Sequence, residues 1–193
     1  FIIKFVYAIM CSGCLLGTHP KKIKEVFMSS QGYNFKDTNF LVKSAAIAAL
    51  YAIITLMFPS LAYGPIQLRF SEILVLLVFY NKRFIPGLLL GCFLANFASD
   101  IAVFDVIFGT FASFLAFMMI IRQKNLFIAS LFPVLSMVIP AIGTYILLDS
   151  STAFIIMLGQ FMMSEFIVVS VIGIFIFKIL ENNSAFMNMI KNF

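Results

Sequence analysis

From Lys43 to Lys178 the chain runs in long apolar stretches broken only by isolated charges, and this pattern limits the fold more than any motif does. Hydrophobic residues make up 63% of its 193 positions and charged residues 11%, with a mean hydropathy of +1.10. Soluble domains are nearer half apolar, so the composition belongs to a membrane protein. A backbone in lipid has to satisfy its own hydrogen bonds, which leaves helices or closed barrels, and the alternating polarity of a barrel is missing here. The expected fold is an all-α integral membrane protein, one bundle of six transmembrane helices. Breaking the chain at charges and turn residues puts the spans at roughly 43–62, 70–81, 84–99, 104–121, 126–148 and 153–178.

The basic residues orient that bundle. Lys36 and Lys43 precede span 1, Lys82 and Arg83 join spans 2 and 3, Arg122 and Lys124 join spans 4 and 5, and Lys178 and Lys191 follow span 6. Arg69 stands against them on the opposite side, and the positive-inside rule then puts both termini in the cytoplasm. The net charge of +5 forms no continuous stripe and no base-stacking pattern, so no nucleic-acid partner is expected.

Residues 1–27 fit this plan poorly. They read as a signal peptide with a basic tail, or as a weak cysteine pair at Cys11 and Cys14, or as a translated leader. The leader reading explains most, because Lys24-Glu25-Val26 can be encoded as AAG GAG GTN, a ribosome-binding sequence just upstream of Met28. On that reading Cys11, Cys14 and His19 have no function. Residues 28–42 form a cytoplasmic segment, 43–178 the membrane domain and 179–193 a cytoplasmic tail. Cys92 is expected to be a small packing residue.

The stretch YGPIQLRFSE, residues 63–72, places an Arg and a Glu between two apolar spans. Gly64 and Pro65 break the preceding helix, making 62–68 a turn or a loop over the outer face. A helix from Phe70 to Asn81 rises only about 18 Å, short of the ~30 Å hydrocarbon core. Arg69 and Glu72 therefore form either a local ion pair at a helix start or part of a polar pocket. Asn96, Ser99 and Asp100 at the end of span 3 and Asp105 at the start of span 4 converge on the same half of the bundle. Gln160 and Glu165 join them from span 6. A carboxylate as deep as Glu165 is expensive in lipid and should face the interior, a partner or a ligand, with a proton relay as the competing use. Asp100, Asp105 and Asp149 have the plainer alternative of solvated loop ends.

Three motifs carry a resemblance. GPIQLRFSE, NKRFIPGLLLGCFLAN (81–96) and DVIFGT (105–110) resemble, in order and spacing, the QueT family of queuosine-precursor transporters, the substrate-binding S subunits of energy-coupling factor (ECF) transporters. The resemblance covers about Lys43 to Lys178. One departure is Ser164-Glu165, where the family has a Gly-Glu pair. The resemblance implies a multi-pass protein of the bacterial cell membrane. It also implies a 7-deazaguanine substrate and, as partners, a transmembrane coupling subunit and two ATPase subunits.

That substrate suits the polar residues. A deazaguanine presents adjacent N–H donors that one carboxylate accepts in pairs, and a carbonyl that Arg, Asn or Gln meets. Glu72 or Glu165 is the candidate for the donor edge, Arg69 or Asn96 for the carbonyl, and Asp105 for an aminomethyl cation, with Gln67 a further candidate substrate-binding residue. Tyr63 is a candidate stacking surface, although aromatic residues in so Phe-rich a chain more often pack in the core. No phosphate-binding loop is present, and no catalytic Ser-His or Cys-His set is possible once residues 1–27 are set aside, so neither an enzyme nor a cofactor or metal site is expected. In span 1, Ala45 with Ala49 and Ala48 with Ala52 make a smooth surface for close helix approach, which in ECF S subunits resembles the docking surface for the coupling subunit. Packing within the bundle is the alternative for these alanines, and Gly87, Gly91 and Ala95 form a second, internal ridge. Two other functions remain open on the residues alone: a self-sufficient proton-coupled secondary transporter, and a structural membrane protein.

Overall fold

The computed structural model describes residues 37–193 apart from 65, 100, 149–153 and 192. The 1–27 segment, Asp100 and Asp149 lie outside the described residues, and Asn39–Phe193 forms one compact unit. Among the described residues every regular element is helical. Four helices are long and apolar enough to cross a membrane: Thr38–Met57 (α1), Ala102–Ile120 (α4), Leu126–Ile146 (α5) and Phe154–Glu181 (α6). Two shorter ones, Phe70–Tyr80 (α2) and Ile85–Asn96 (α3), lie between α1 and α4. The outer surfaces of the four long helices carry large apolar side chains such as Ile53, Val103, Ile146, Ile155 and Phe175, which is the arrangement lipid stabilises and water does not.

The first span differs from its expected bounds. α1 stops at Met57, not at Ala62, because Pro59 has no N–H to donate back to Thr55 and pushes Phe58 out of helical geometry, at φ −131° and ψ 62°. A short turn, Pro59–Ala62, follows. α2 is short as its sequence implies, and its first seven residues, Phe70–Leu76, wind as a narrow 3₁₀ helix. At the larger 3₁₀ rise the whole of α2 spans about 20 Å.

α4 and α6 each contain a wide π-helical stretch, Asp105–Gly109 and Phe166–Gly173. α5 breaks at Met137 between Leu126–Ser136 and Val138–Leu148, near Pro133 and Pro140. These irregular segments pack on one another: the narrow turn of α2 against the wide stretch of α6, and the wide stretch of α4 against α3 and the second half of α5.

α1 meets α3 through glycine. A Cβ added at Gly91 would stand 2.7 Å from Tyr51 Cβ, and one at Gly87 2.7 Å from the Ser44 carbonyl oxygen. The ridge on α3 is therefore an internal contact, and Ala48 is buried beneath it, while Ala45 and Ala49 face outward and Ala52 is half-buried. The last residues are packed as well. A helix Ser184–Lys191 (α7) follows α6, Asn81 donates to the Ile190 carbonyl at 2.8 Å, and the Phe193 ring lies 4.0 Å from that of Phe84.

Candidate functional site

The buried polar groups Arg69, Glu72, Asn96, Asp105 and Glu165 gather where α2, α3, α4 and α6 meet, and backbone geometry aims them. Arg69 is extended, at φ −100° and ψ 95°, so its side chain leaves the direction of Glu72 even though the two are three residues apart. It reaches across the bundle: Nε donates to the Ala62 carbonyl at 3.2 Å, Nη1 to Asn96 Oδ1 at 2.9 Å, and Nη2 lies 4.0 Å from Asp105 Oδ2. Its guanidinium also stacks over the Tyr63 ring, 5.5 Å from the centroid. Asp105 Oδ2 accepts the Ser99 hydroxyl as well.

Glu72 turns the other way. Tyr51 donates its hydroxyl to Glu72 Oε1 at 2.5 Å, and one helical turn further along α1 Thr55 and Ser71 share a hydrogen bond at 2.6 Å. The local Arg69–Glu72 ion pair is thus replaced by two longer-range connections, Arg69 to α3 and α4 and Glu72 to α1. Charged groups that share several partners this way are held more rigidly than an exposed pair.

Between these connections lies a part-open cavity with about 450 Å³ of empty space, its mouth included. Gln67, Arg69, Glu72, Asp105 and Glu165 line it. Gln67 has φ 48°, a left-handed conformation that a non-glycine residue holds only under constraint, and such constraint concentrates at binding sites. Glu165 is 1% exposed, and its Oε1 has no hydrogen-bond partner among the described residues. Both Asp105 and Glu165 stand at the start of a wide helical stretch, a distortion frequent at functional sites.

Two expected residues stand behind the wall. Asn96 holds Arg69 from α3 and fits so closely that a Cβ on Gly109 would approach its Nδ2 to 2.8 Å. Tyr63 spends its ring on Arg69 and its hydroxyl on the Ala95 carbonyl. Gln160, half-buried on α6, does not line the cavity. The sequence reading missed the rest of the wall: Ser113 and Phe117 from α4, Pro133, Ser136 and Pro140 from α5, and the Tyr51 that holds Glu72 from behind. A signal was available for α5, because two prolines seven residues apart in an apolar helix share a face and weaken its hydrogen bonding there.

Membrane-length apolar helices packed around a charged interior define a multi-pass helical membrane protein. Comparison with known proteins places it more narrowly. A family profile described as QueT transporter matches residues 41–182, and the chain belongs to that family. It is similar to the curated Queuosine precursor transporter QueT of Lactococcus lactis subsp. cremoris (strain MG1363), with 44% identity over 71 residues. That match covers 36% of this chain and 41% of the relative, so it spans about two fifths of the relative's length. No solved structure matches the chain.

Proposed function

We propose that this protein is the membrane substrate-binding subunit for uptake of a queuosine precursor of the 7-deazaguanine type, driven by the ATPase and coupling subunits of an ECF transporter. The observation that carries the reading is the convergence, in a QueT family member, of Gln67, Arg69, Glu72, Asp105 and Glu165 on one cavity. The donor edge of the ring meets Glu72, whose position is fixed by Tyr51. The ring carbonyl meets Arg69 or Gln67, and Phe117 offers an apolar surface to the ring. Charge-assisted hydrogen bonds contribute roughly 1.5–3 kcal/mol each, so two or three of them with ring packing support tight capture.

The membrane arrangement belongs to the same proposal. α2 and α3 are the two short members of six passes, and both chain ends face the cytoplasm. In support, α7 and Phe193 pack at the end of the bundle where Lys43, Lys82 and Arg83 also lie. Coupling uses the outward face of α1 at Ala45 and Ala49, where small side chains let another helix approach closely.

The decisive experiment is mass spectrometry of small molecules retained by the purified chain, followed by calorimetry with 7-deazaguanine compounds. Saturable binding to a folded chain is the expected result, and its absence would remove the substrate assignment. The unpartnered Glu165 oxygen favours one second reading, in which this carboxylate carries a proton and the chain transports alone. Uptake by vesicles that contain only this chain, driven by a proton gradient, would establish that reading in place of the ECF one.

A further inference from the structure

The cavity holds more carboxylates than its own residues balance. Its charged lining is Arg69 against Glu72, Asp105 and Glu165. Two of these three carboxylates already have partners. Asp105 accepts Ser99 and lies 4.0 Å from Arg69, and Glu72 accepts the Tyr51 hydroxyl at 2.5 Å. Glu165 is different, because it is buried to 1% exposure and its Oε1 meets no donor among the described residues. Its electrostatic neighbours are Glu72, which repels it, and Arg69, which is already engaged by Asn96 and Asp105. A buried acceptor in this position is stabilised when something entering the cavity brings both a hydrogen-bond donor and positive charge.

The chemistry of that group can be narrowed. Among the described residues no three His, Cys, Asp or Glu side chains are grouped closely enough to hold a metal ion. An organic ammonium needs only one charged acceptor and a fitting shape. It must carry N–H, because the unmet requirement is a hydrogen bond as well as a charge, and this disfavours a quaternary nitrogen. Glu72 on α2 and Glu165 on α6 also offer two separate acceptor positions, one for a ring edge and one for an amine.

We infer that Glu165 seats a protonated amine of the ligand, so that among flat deazaguanine-like solutes the cavity selects one with an amine on a short arm over its uncharged counterpart. The inference rests on the proposed function and names the member of the substrate class that this site prefers. Selectivity then comes from α6, and recognition of the ring itself from α2.

The test is calorimetry on the purified chain with 7-aminomethyl-7-deazaguanine and 7-cyano-7-deazaguanine, for the wild type, Glu165→Gln and Glu72→Gln. The wild type should bind the amine at least tenfold more tightly. Glu165→Gln should reduce that ratio below about threefold by weakening the amine alone, and Glu72→Gln should weaken both compounds while preserving the ratio. Equal or tighter binding of the cyano compound by the wild type overturns the inference and leaves the ring-binding reading standing; this comparison does not depend on any variant folding. A ratio that persists in a folded Glu165→Gln chain overturns the role of Glu165. Failure of the folded wild type to bind either compound overturns the proposed function, and the inference with it.

Discussion

Gly91 is the point at which packing between helices is most directly connected to the cavity. A methyl group there would stand 2.7 Å from Tyr51 Cβ and 2.9 Å from the Ala48 carbonyl oxygen. Carbon atoms pack comfortably at about 3.5–4.0 Å, so Gly91→Ala requires α1 to move away from α3 by about 1 Å. Overpacking of this kind costs about 1–3 kcal/mol. For a chain of this size each kcal/mol lowers the melting temperature by about 2–4 °C, which gives an expected fall of roughly 2–12 °C.

The displacement also has a specific second effect. Tyr51 donates to Glu72 at 2.5 Å, and a shift of about 1 Å stretches that bond to the limit of hydrogen bonding. Ligand affinity should therefore fall at least fivefold, roughly 1 kcal/mol, although Gly91 touches no ligand. Gly159→Ala is the control, because a Cβ at that position meets nothing within 4 Å and alanine is the better helix former. Thermal unfolding in detergent and calorimetric titration of the two variants provide the measurement. A Gly91→Ala chain that melts within about 1 °C of the wild type and keeps full affinity would show that α1 and α3 do not meet at this residue.

Three further substitutions examine neighbouring contacts. Tyr51→Phe removes the hydroxyl that Glu72 accepts and should destabilise the chain by about 1–3 kcal/mol, read as a lower melting temperature; unchanged stability would mean that Glu72 finds another donor. Arg69→Lys keeps the charge but cannot reach the Ala62 carbonyl, Asn96 and Asp105 together, so affinity should fall roughly tenfold, whereas full retention in a titration would reduce Arg69 to a point charge. Ala49→Arg adds bulk to an outward face of α1 that does not line the cavity. It should leave ligand affinity intact while abolishing co-purification with a coupling subunit, and normal assembly would move the docking surface elsewhere.

The sequence revealed most about features that depend on composition and least about those that depend on long-range partners. Apolar stretches gave the helical membrane class, and the distance from Phe70 to Asn81 gave the short α2, because rise per residue is nearly fixed. Glu165 was recognisable as an interior group because charge is expensive in such a stretch, whereas Arg69 with Glu72 equally fitted an ion pair at a helix start and Asp105 a solvated loop end. Their pairing was not recognisable. Glu72 is partnered by a tyrosine 21 residues earlier, a contact set by the Gly91 approach of α3 to α1 and not by local spacing. The end of α1 was misplaced because Pro59 lies in a run that remains apolar beyond it, so hydropathy continues where hydrogen bonding does not. The wide stretches at 105–109 and 166–173 leave no hydropathy trace at all.

Those two wide stretches have a consequence for reading related chains. A π-type turn uses more residues than an α-turn for the same advance along the axis, so a relative whose corresponding helix is regular needs fewer residues to cover the same distance. Such a relative should align with a short gap inside an uninterrupted apolar segment, just after the position of Asp105 or Glu165. Gaps are ordinarily assigned to loops, and forcing this one into the nearest loop would shift every residue between. The face of the helix presented to the cavity would then be misassigned by about 100° for each misplaced residue.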